Sequence, residues 1–390
     1  MNRDHVDWER LRREAFVRTA EATSAAETHE VIREVIEALG DPHTFFLSPE
    51  DAAEAWSESA TRGAPVPTGH LIDGLFGYVV IPEASGAAEA DQRYVQAGVT
   101  VVRDLDAHAP PGWVVGLRGN TGGNMFPMIT VLAPLLGEGH LGSFVDADGE
   151  ICARWTLRGG LVHVDDEAME LPPHPRQLSK PAPLIAILTD ARTMSAAEAT
   201  LISFLGLPNV RTFGAPTAGL ATGNEAIDLS DGAVLVLTAV READRTGRLY
   251  GNEPIAPHQP VPPGEDALAA ATDWLAARAE HRPPTRGATG TPLQATVSGV
   301  GRAASCLLGC QRPGAAVVDD MRRPADLRHL PPAGRKRLRR TPGSAGNPRR
   351  RARYRAVTWI RPAKVAQALW PGGDDGGIIP SWICATRRCW

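Results

Sequence analysis

Lysine is almost missing from the first 335 residues of this 390-residue chain, where Lys180 stands alone. Any chemistry there that needs a lysine base or a Schiff-base amine has a single candidate. Cysteine is equally scarce: Cys152 is the only one before residue 306, so the body of the protein is not built on disulfides. No run of about 18 apolar residues occurs, and the N-terminus MNRDHVDWERLRREAF has no apolar leader core. These absences point to a protein without a membrane segment, cytoplasmic as written and extracytoplasmic if an upstream leader is missing.

What is present divides into two unlike parts. The net charge of −4 hides a tail that carries 20 Lys+Arg and 5 Asp+Glu from Arg286 onward, while the residues before it carry 21 and 40. The tail is rich in Pro, Gly and Arg, has no sustained period, and contains the basic runs RKRLRR and RRRARYR. Such runs can serve as nucleic-acid arms, but no nucleic-acid module accompanies them. A disordered extension, or translation out of frame in a GC-rich gene, accounts better for the composition, so no nucleic-acid partner is expected. Cys306 with Cys310, and Cys384 with Cys389, lack metal-finger spacing with paired histidines, so neither metal nor organic cofactor is expected.

Taken in order, residues 6–40 read as helices, with Trp8, Leu11, Phe16, Val17 and Ala20, then Val31, Ile32, Val35, Ile36 and Leu39, at three- and four-residue steps. Gly40 marks the end of the second. GDPHTFF follows as a turn holding His43, and residues 57–69 read as linker. A strand is predicted over 75–81, a helix over 91–108, a strand over 113–117, a glycine turn at 119–123 and a helix over 125–136. The strand, turn, helix pattern returns at 184–188 and 195–205, which implies parallel strands with crossover helices and a site at their carboxyl ends. Between the two lies a hairpin-rich insertion, and beyond them come a hairpin turning at Asp231-Gly232 and a closing amphipathic helix. The expected fold class is therefore α/β: an N-terminal helical subdomain over 1–56 carrying the His43 loop, a core over 70–284 with a parallel-containing sheet and β-hairpin additions, and the basic tail over 285–390.

Ser195 sits where the apolar run 181–200 breaks and restarts as a helix. A helix N-terminus offers unpaired N–H groups and partial positive charge, which suits an oxyanion and makes this serine a candidate nucleophile. It also begins S-x-x-E with Glu198, the sequence form of a capping box, so that stretch alone leaves both roles open.

In order and spacing, LGDPHTFF, LRGNTGG, PLIAILTDARTMSAAEA, NVRTFGAPTAGLAT, a DGA hairpin and PIAPHQPV resemble the tail-specific, C-terminal-processing family of serine peptidases over about residues 6–280. The resemblance implies a crotonase-like core, Ser195 as nucleophile, and an oxyanion hole from Gly122 or Gly123 with Ala196. One branch of that family carries its lysine base in a loop that here reads Gly214-Ala215-Pro216-Thr217-Ala218-Gly219-Leu220-Ala221, with Leu220 at the lysine position. The other, which includes nisin-resistance proteins and tricorn-type core domains, places a histidine in the GDPHT loop, and that matches His43. An acid that orients the imidazole would come from the segment before Pro257, where the family position falls on Gly251 and Glu253 stands two residues away; Asp41 is a second candidate. A Ser195–His43 dyad is expected, acting on a peptide or protein substrate, with activity rising around a histidine pKa of about 6.5. About thirty residues separate His43 from the strand at Leu75, too few for the PDZ-like insertion that many members carry. The alternative is a catalytically silent ligand- or peptide-binding module on the same fold.

Overall fold

The computed structural model describes residues 6–55, 57, 62–174 and 177–280. The basic tail expected over 285–390 lies outside the described residues. Trp8–Arg18 is the first helix, started by Asp7, whose carboxylate accepts the Arg10 N–H at 3.0 Å. A short 3-10 turn at Ala26–Thr28 leads into a second helix, His29–Leu39, which Gly40 ends in the left-handed conformation at φ 60. Both helices expected over 6–40 are present, but the first buries no residue, and Phe16 and Val17 are 64% and 75% exposed. A helical period records backbone geometry; whether the apolar stripe is covered depends on what packs against it.

After His43 come β1 (Phe45–Leu47), a helix over Pro49–Ala55, and the hairpin of β2 (Thr68–Ile72) and β3 (Phe76–Val80), which turns at Asp73-Gly74. The linker expected over 57–69 thus ends at Thr68, because pairing with β3 satisfies the backbone of a segment whose side chains are mostly exposed. A long helix (Ala88–Asp106) precedes β4 (Gly112–Gly116). The single helix expected over 125–136 is two, Met125–Val131 and Ala133–Leu136, since Pro134 has no N–H to continue the ladder. Then follow β5 (Gly139–Val145), β6 (Ile151–Arg158), β7 (Leu161–Val164), β8 (Glu167–Ala168) and β9 (Leu184–Thr189). Helix Ala196–Phe204, β10 (Val210–Gly214), β11 (Thr222–Asp228), β12 (Val234–Asp244), β13 (Leu249–Tyr250), β14 (Gln259–Pro260) and the closing helix Ala267–Glu280 complete the described chain.

These strands form two sheets. One has the order β14-β10-β9-β4-β3-β2, parallel except for the edge hairpin strand β2. The other is antiparallel, in the order β1-β12-β5-β6-β7-β8, with β11 and β13 also on β12. The segment read as an insertion is therefore half of the second sheet, since β5 pairs with β12. The His43 loop is tied to the same sheet through β1, whose Phe45, Phe46 and Leu47 face Val236, Leu235 and Val234.

The main core lies where helices Met125–Val131 and Ala196–Phe204 meet both sheets, with Trp113, Trp155, Phe144 and Phe204 almost fully buried. Helix Ala196–Phe204 is buried along its whole length, so it cannot show an apolar stripe. The closing helix covers the opposite face of the parallel sheet with Ala271 and Leu275 against Val114, Ala186 and Leu188. Because both faces are covered, β4 and β9 read as unbroken apolar runs, and each fully buried Val, Ile or Leu contributes about 1.5–3 kcal/mol.

Candidate active site

Ser195 stands between β9 and its crossover helix, at φ 55 and ψ −118. Positive φ is unusual and costly for a side-chain-bearing residue, and such strain collects at functional turns. Ser195 and Glu198 occupy the positions of a capping box, and Glu198 Oε2 accepts the Ser195 N–H at 2.9 Å. The Ser195 hydroxyl, however, makes no side-chain cap hydrogen bond, and its Oγ is buried with no partner among the described residues. Leaving a buried hydroxyl unpaired costs about 1–3 kcal/mol, more than a cap alone would justify.

Glu198 does more than cap. Its Oε1 accepts from the Thr217 hydroxyl at 2.5 Å and the Gly219 N–H at 3.0 Å, and its Oε2 also accepts the Leu220 N–H at 2.8 Å. Burial pushes this carboxyl up to about 7, while its donors oppose the rise. One side chain thus fixes both the strained serine and the loop that in the lysine branch would carry the base. Leu220 is buried at that position. Lys180, the only other lysine candidate, is exposed and precedes β9, so a strand of six residues, about 20 Å, separates it from the serine turn.

The glycine turn is stitched to the serine turn. Asp190 accepts the Gly119 N–H at 3.0 and 3.1 Å, Met194 N–H donates to the Asn120 carbonyl at 3.1 Å, and the Thr193 hydroxyl donates to the Leu117 carbonyl at 2.9 Å. Within the turn the two candidate glycines differ. The Gly122 N–H donates to Asn120 Oδ1 at 2.8 Å. The N–H groups of Gly123 and Ala196 donate to nothing among the described residues. Gly123 has φ 96, and a Cβ there would lie 1.8 Å from the Ala84 carbonyl oxygen, so only glycine fits. Asn124 then starts the next helix by accepting the Phe126 N–H at 2.9 Å, and its amide donates to Asp91 at 2.7 Å. Burial raises Asp91 to about 7.

His43 is fully buried, and its Nδ1 lies 2.6 Å from the Thr222 hydroxyl. Its backbone is held at both ends, with the N–H donating to Asp41 Oδ1 at 2.9 Å and the carbonyl accepting from Asn224 at 3.0 Å. Asp41 also accepts from Thr238 at 2.9 Å. Of the two acids considered as orienters, Asp41 therefore contacts the histidine backbone, while Glu253 is exposed in the segment before β14. The group on the imidazole is Thr222, which sequence reasoning missed. Thr222 is two residues beyond Leu220, so the chain from Ser195 through Glu198 and residues 220–222 to His43 is short and continuous. Nearby on β12, Glu242 is fully buried with both oxygens unpartnered, and burial followed by repulsion from Glu198 keeps it protonated far above the usual carboxylate range.

The α/β fold places a strained serine at the carboxyl end of a parallel strand. Residues 76–261 match the model of peptidase family S41. The nisin-resistance protein of Lactococcus lactis subsp. lactis is 29% identical over 272 residues, covering 70% of this chain and 81% of the relative. The structure of a lipoprotein from Streptococcus agalactiae superposes with a TM-score of 0.58 at 28% identity, over 70% of this chain and 89% of that one. A more distant likeness, TM-score 0.48 at 16% identity over 67% and 88%, is to a photosystem II D1 C-terminal processing protease. The match to peptidase family S41 supports a peptidase, a hydrolase whose substrate is a peptide or protein. Among the described residues no helix is long and apolar enough to cross a membrane, and no group of three or more His, Cys, Asp or Glu is placed to hold a metal ion.

Proposed function

We propose that this chain is a serine peptidase in which Ser195 is the nucleophile and His43 the general base. The observation that carries the reading is the Ser195 hydroxyl, buried and unpartnered on a strained turn beside two unused N–H groups. A neutral imidazole that donates its Nδ1 proton to Thr222 Oγ1 keeps Nε2 as the acceptor. Nε2 then takes the hydroxyl proton as Oγ attacks the scissile carbonyl, the N–H groups of Gly123 and Ala196 hold the tetrahedral oxyanion, and the imidazolium returns the proton to the leaving amine. Water repeats the sequence on the acyl-enzyme. Thr222 takes the place that an acid holds in a triad, which supports a dyad over a third catalytic carboxylate. Ser195 and His43 are both fully buried, so a substrate has to open this surface to reach them. The relatives named a lipoprotein and a nisin-resistance protein support an extracytoplasmic place of work.

Reaction with a fluorophosphonate probe tests the assignment. Wild-type protein should be labelled on Ser195 and His43→Ala only weakly. A folded protein that takes no label would favour the silent binding module.

A further inference from the structure

The long helix Ala88–Asp106 buries Asp91 in its first turn, beside the segment that leaves β3. Asp91 Oδ1 accepts the Gly86 N–H at 3.1 Å, and Oδ2 accepts the Asn124 amide at 2.7 Å. One turn further on, the Tyr94 hydroxyl donates to the Pro82 carbonyl at 2.8 Å. A single helix therefore grips residues 82–86 at both ends. In the middle of that segment the Ala84 N–H donates to the Gly122 carbonyl at 3.1 Å, and the Ala84 carbonyl accepts the Asn124 N–H at 3.0 Å. These bonds close a ring that runs from Asp91 through Gly86 and Ala84 to the glycine turn and back through Asn124.

The ring fixes a direction. A trans peptide holds its C=O and N–H antiparallel, so a Gly122 carbonyl turned toward Ala84 turns the Gly123 N–H the other way. The strand order β9-β4-β3 makes that the side of β9, whose end carries the Ser195 turn. The chemistry of the ring also demands an acid at position 91. Asn124 commits its Oδ1 to the Phe126 N–H at 2.9 Å, so its Nδ2 has to face an acceptor, and the Gly86 N–H needs a second. Only a carboxylate offers both oxygens; an amide at position 91 would set a donor against one of these two donors in either orientation. Burial raises the Asp91 carboxyl to about 7 while the two hydrogen bonds oppose the rise.

We propose that Asp91 is a positioning residue for the oxyanion N–H of Gly123, acting through Gly86, Ala84 and Asn124, a reading that rests on the peptidase assignment. Asp91→Asn, Asn124→Asp and the swap that combines them are compared at about pH 8, where the carboxyl is ionised. Each single variant sets like groups face to face. The swap restores every hydrogen bond of the ring with donor and acceptor reversed, and aspartate starts a helix as well as asparagine does. In each single variant kcat on an unstructured peptide should fall about 10- to 100-fold with KM little changed, the range for a displaced catalytic group, and the swap should recover most of the loss. Amide hydrogen exchange over 82–86 and 119–126, read by mass spectrometry, should quicken by a similar factor in the single variants and slow again in the swap. Wild-type kcat in Asp91→Asn, a loss that the swap does not recover, or unchanged hydrogen exchange over these segments would overturn the proposal. Hydrogen exchange quickened evenly over the whole fold would overturn it too, since Asp91 would then serve stability alone. Should Asp91→Asn not fold, Tyr94→Phe decides in its place: it frees only the Pro82 end of the segment and should lower kcat by less with the same local pattern, and wild-type kcat would count against the ring. Wild-type protein that neither cleaves the peptide nor takes a fluorophosphonate label, with the hydrogen-exchange pattern as expected, would remove the peptidase assignment and leave the ring standing.

Discussion

The two sheets supply the site in different ways. The parallel sheet delivers Ser195 locally: β9 ends, the chain turns, a helix begins, and the proposed nucleophile stands at the turn. The antiparallel sheet delivers His43 remotely, from a loop whose position depends on β1 pairing with β12 almost two hundred residues later. The first arrangement is set by the covalent chain and the second by long-range packing. The loop from Thr217 to Thr222 joins them, with Glu198 holding one end and His43 the other. A site built this way should be robust on the serine side and sensitive on the histidine side to changes that leave the rest of the fold alone.

The strongest way to break the comparison is to remove one group from each side. Ser195→Ala and His43→Ala should each lower turnover of an unstructured peptide on the order of 10⁴-fold, while Lys180→Ala stays near wild type. An active His43→Ala beside a dead Lys180→Ala would return the chain to a lysine base.

Gly123→Ala tests the serine side alone. A Cβ that cannot coexist with the Ala84 carbonyl must turn the Gly123 N–H away, and the loss of one oxyanion donor typically costs 100- to 1,000-fold in kcat with KM little changed. Wild-type kcat in that variant would take the glycine turn out of the mechanism.

On the histidine side Thr222→Val should cost about tenfold in kcat, the size of one hydrogen bond to a group that becomes charged, and Thr222→Ser should restore it. A merely structural threonine would shift the melting temperature and leave kcat alone, and calorimetry beside steady-state kinetics separates these outcomes.

The smallest effects concern the buried acids Asp91, Glu198 and Glu242. Asp91 and Glu198 are raised to about 7 in the folded protein, so between about pH 4.5 and 7 the folded state binds more protons than the unfolded one. Their contribution to stability is complete below that window and is lost as pH rises through it. The urea midpoint should therefore fall from pH 5 to pH 7.5. Glu242→Leu should raise stability by about 1 kcal/mol, since it removes a carboxyl whose oxygens have no partner. A midpoint that climbs with pH, or a destabilised Glu242→Leu, would mean that these acids are ionised and paired.

Much of this was legible in the residues. The unbroken apolar runs of β4 and β9, the glycine turn and S-x-x-E announced the parallel sheet and its serine turn, because those signals are local. The hairpin turn at Asp73-Gly74 and the strand β2 before it went unread, since the side chains of TGHLI are mostly exposed and the segment owes its strand conformation to the neighbour that pairs with it. The first helix was legible as a helix but not as exposed, and Pro134 was present to be read as a break in the second pattern. Glu198 was recognisable only as a capping partner, because three of its four donors lie some twenty residues downstream.

By itself the sequence determined the α/β class, the strand-to-helix turn at Ser195 and the lack of any lysine but Lys180 before residue 336, all of which follow from neighbours in the chain or from simple inventory. Tertiary structure alone decided that Thr222 rather than Asp41 or Glu253 meets the imidazole, that the Gly123 N–H is open while that of Gly122 is taken, and that Asp91 meets Asn124 beside the glycine turn. Each of these depends on which strand pairs with which and in what register, and a one-residue slip in β11 would turn Thr222 to the other face of the sheet.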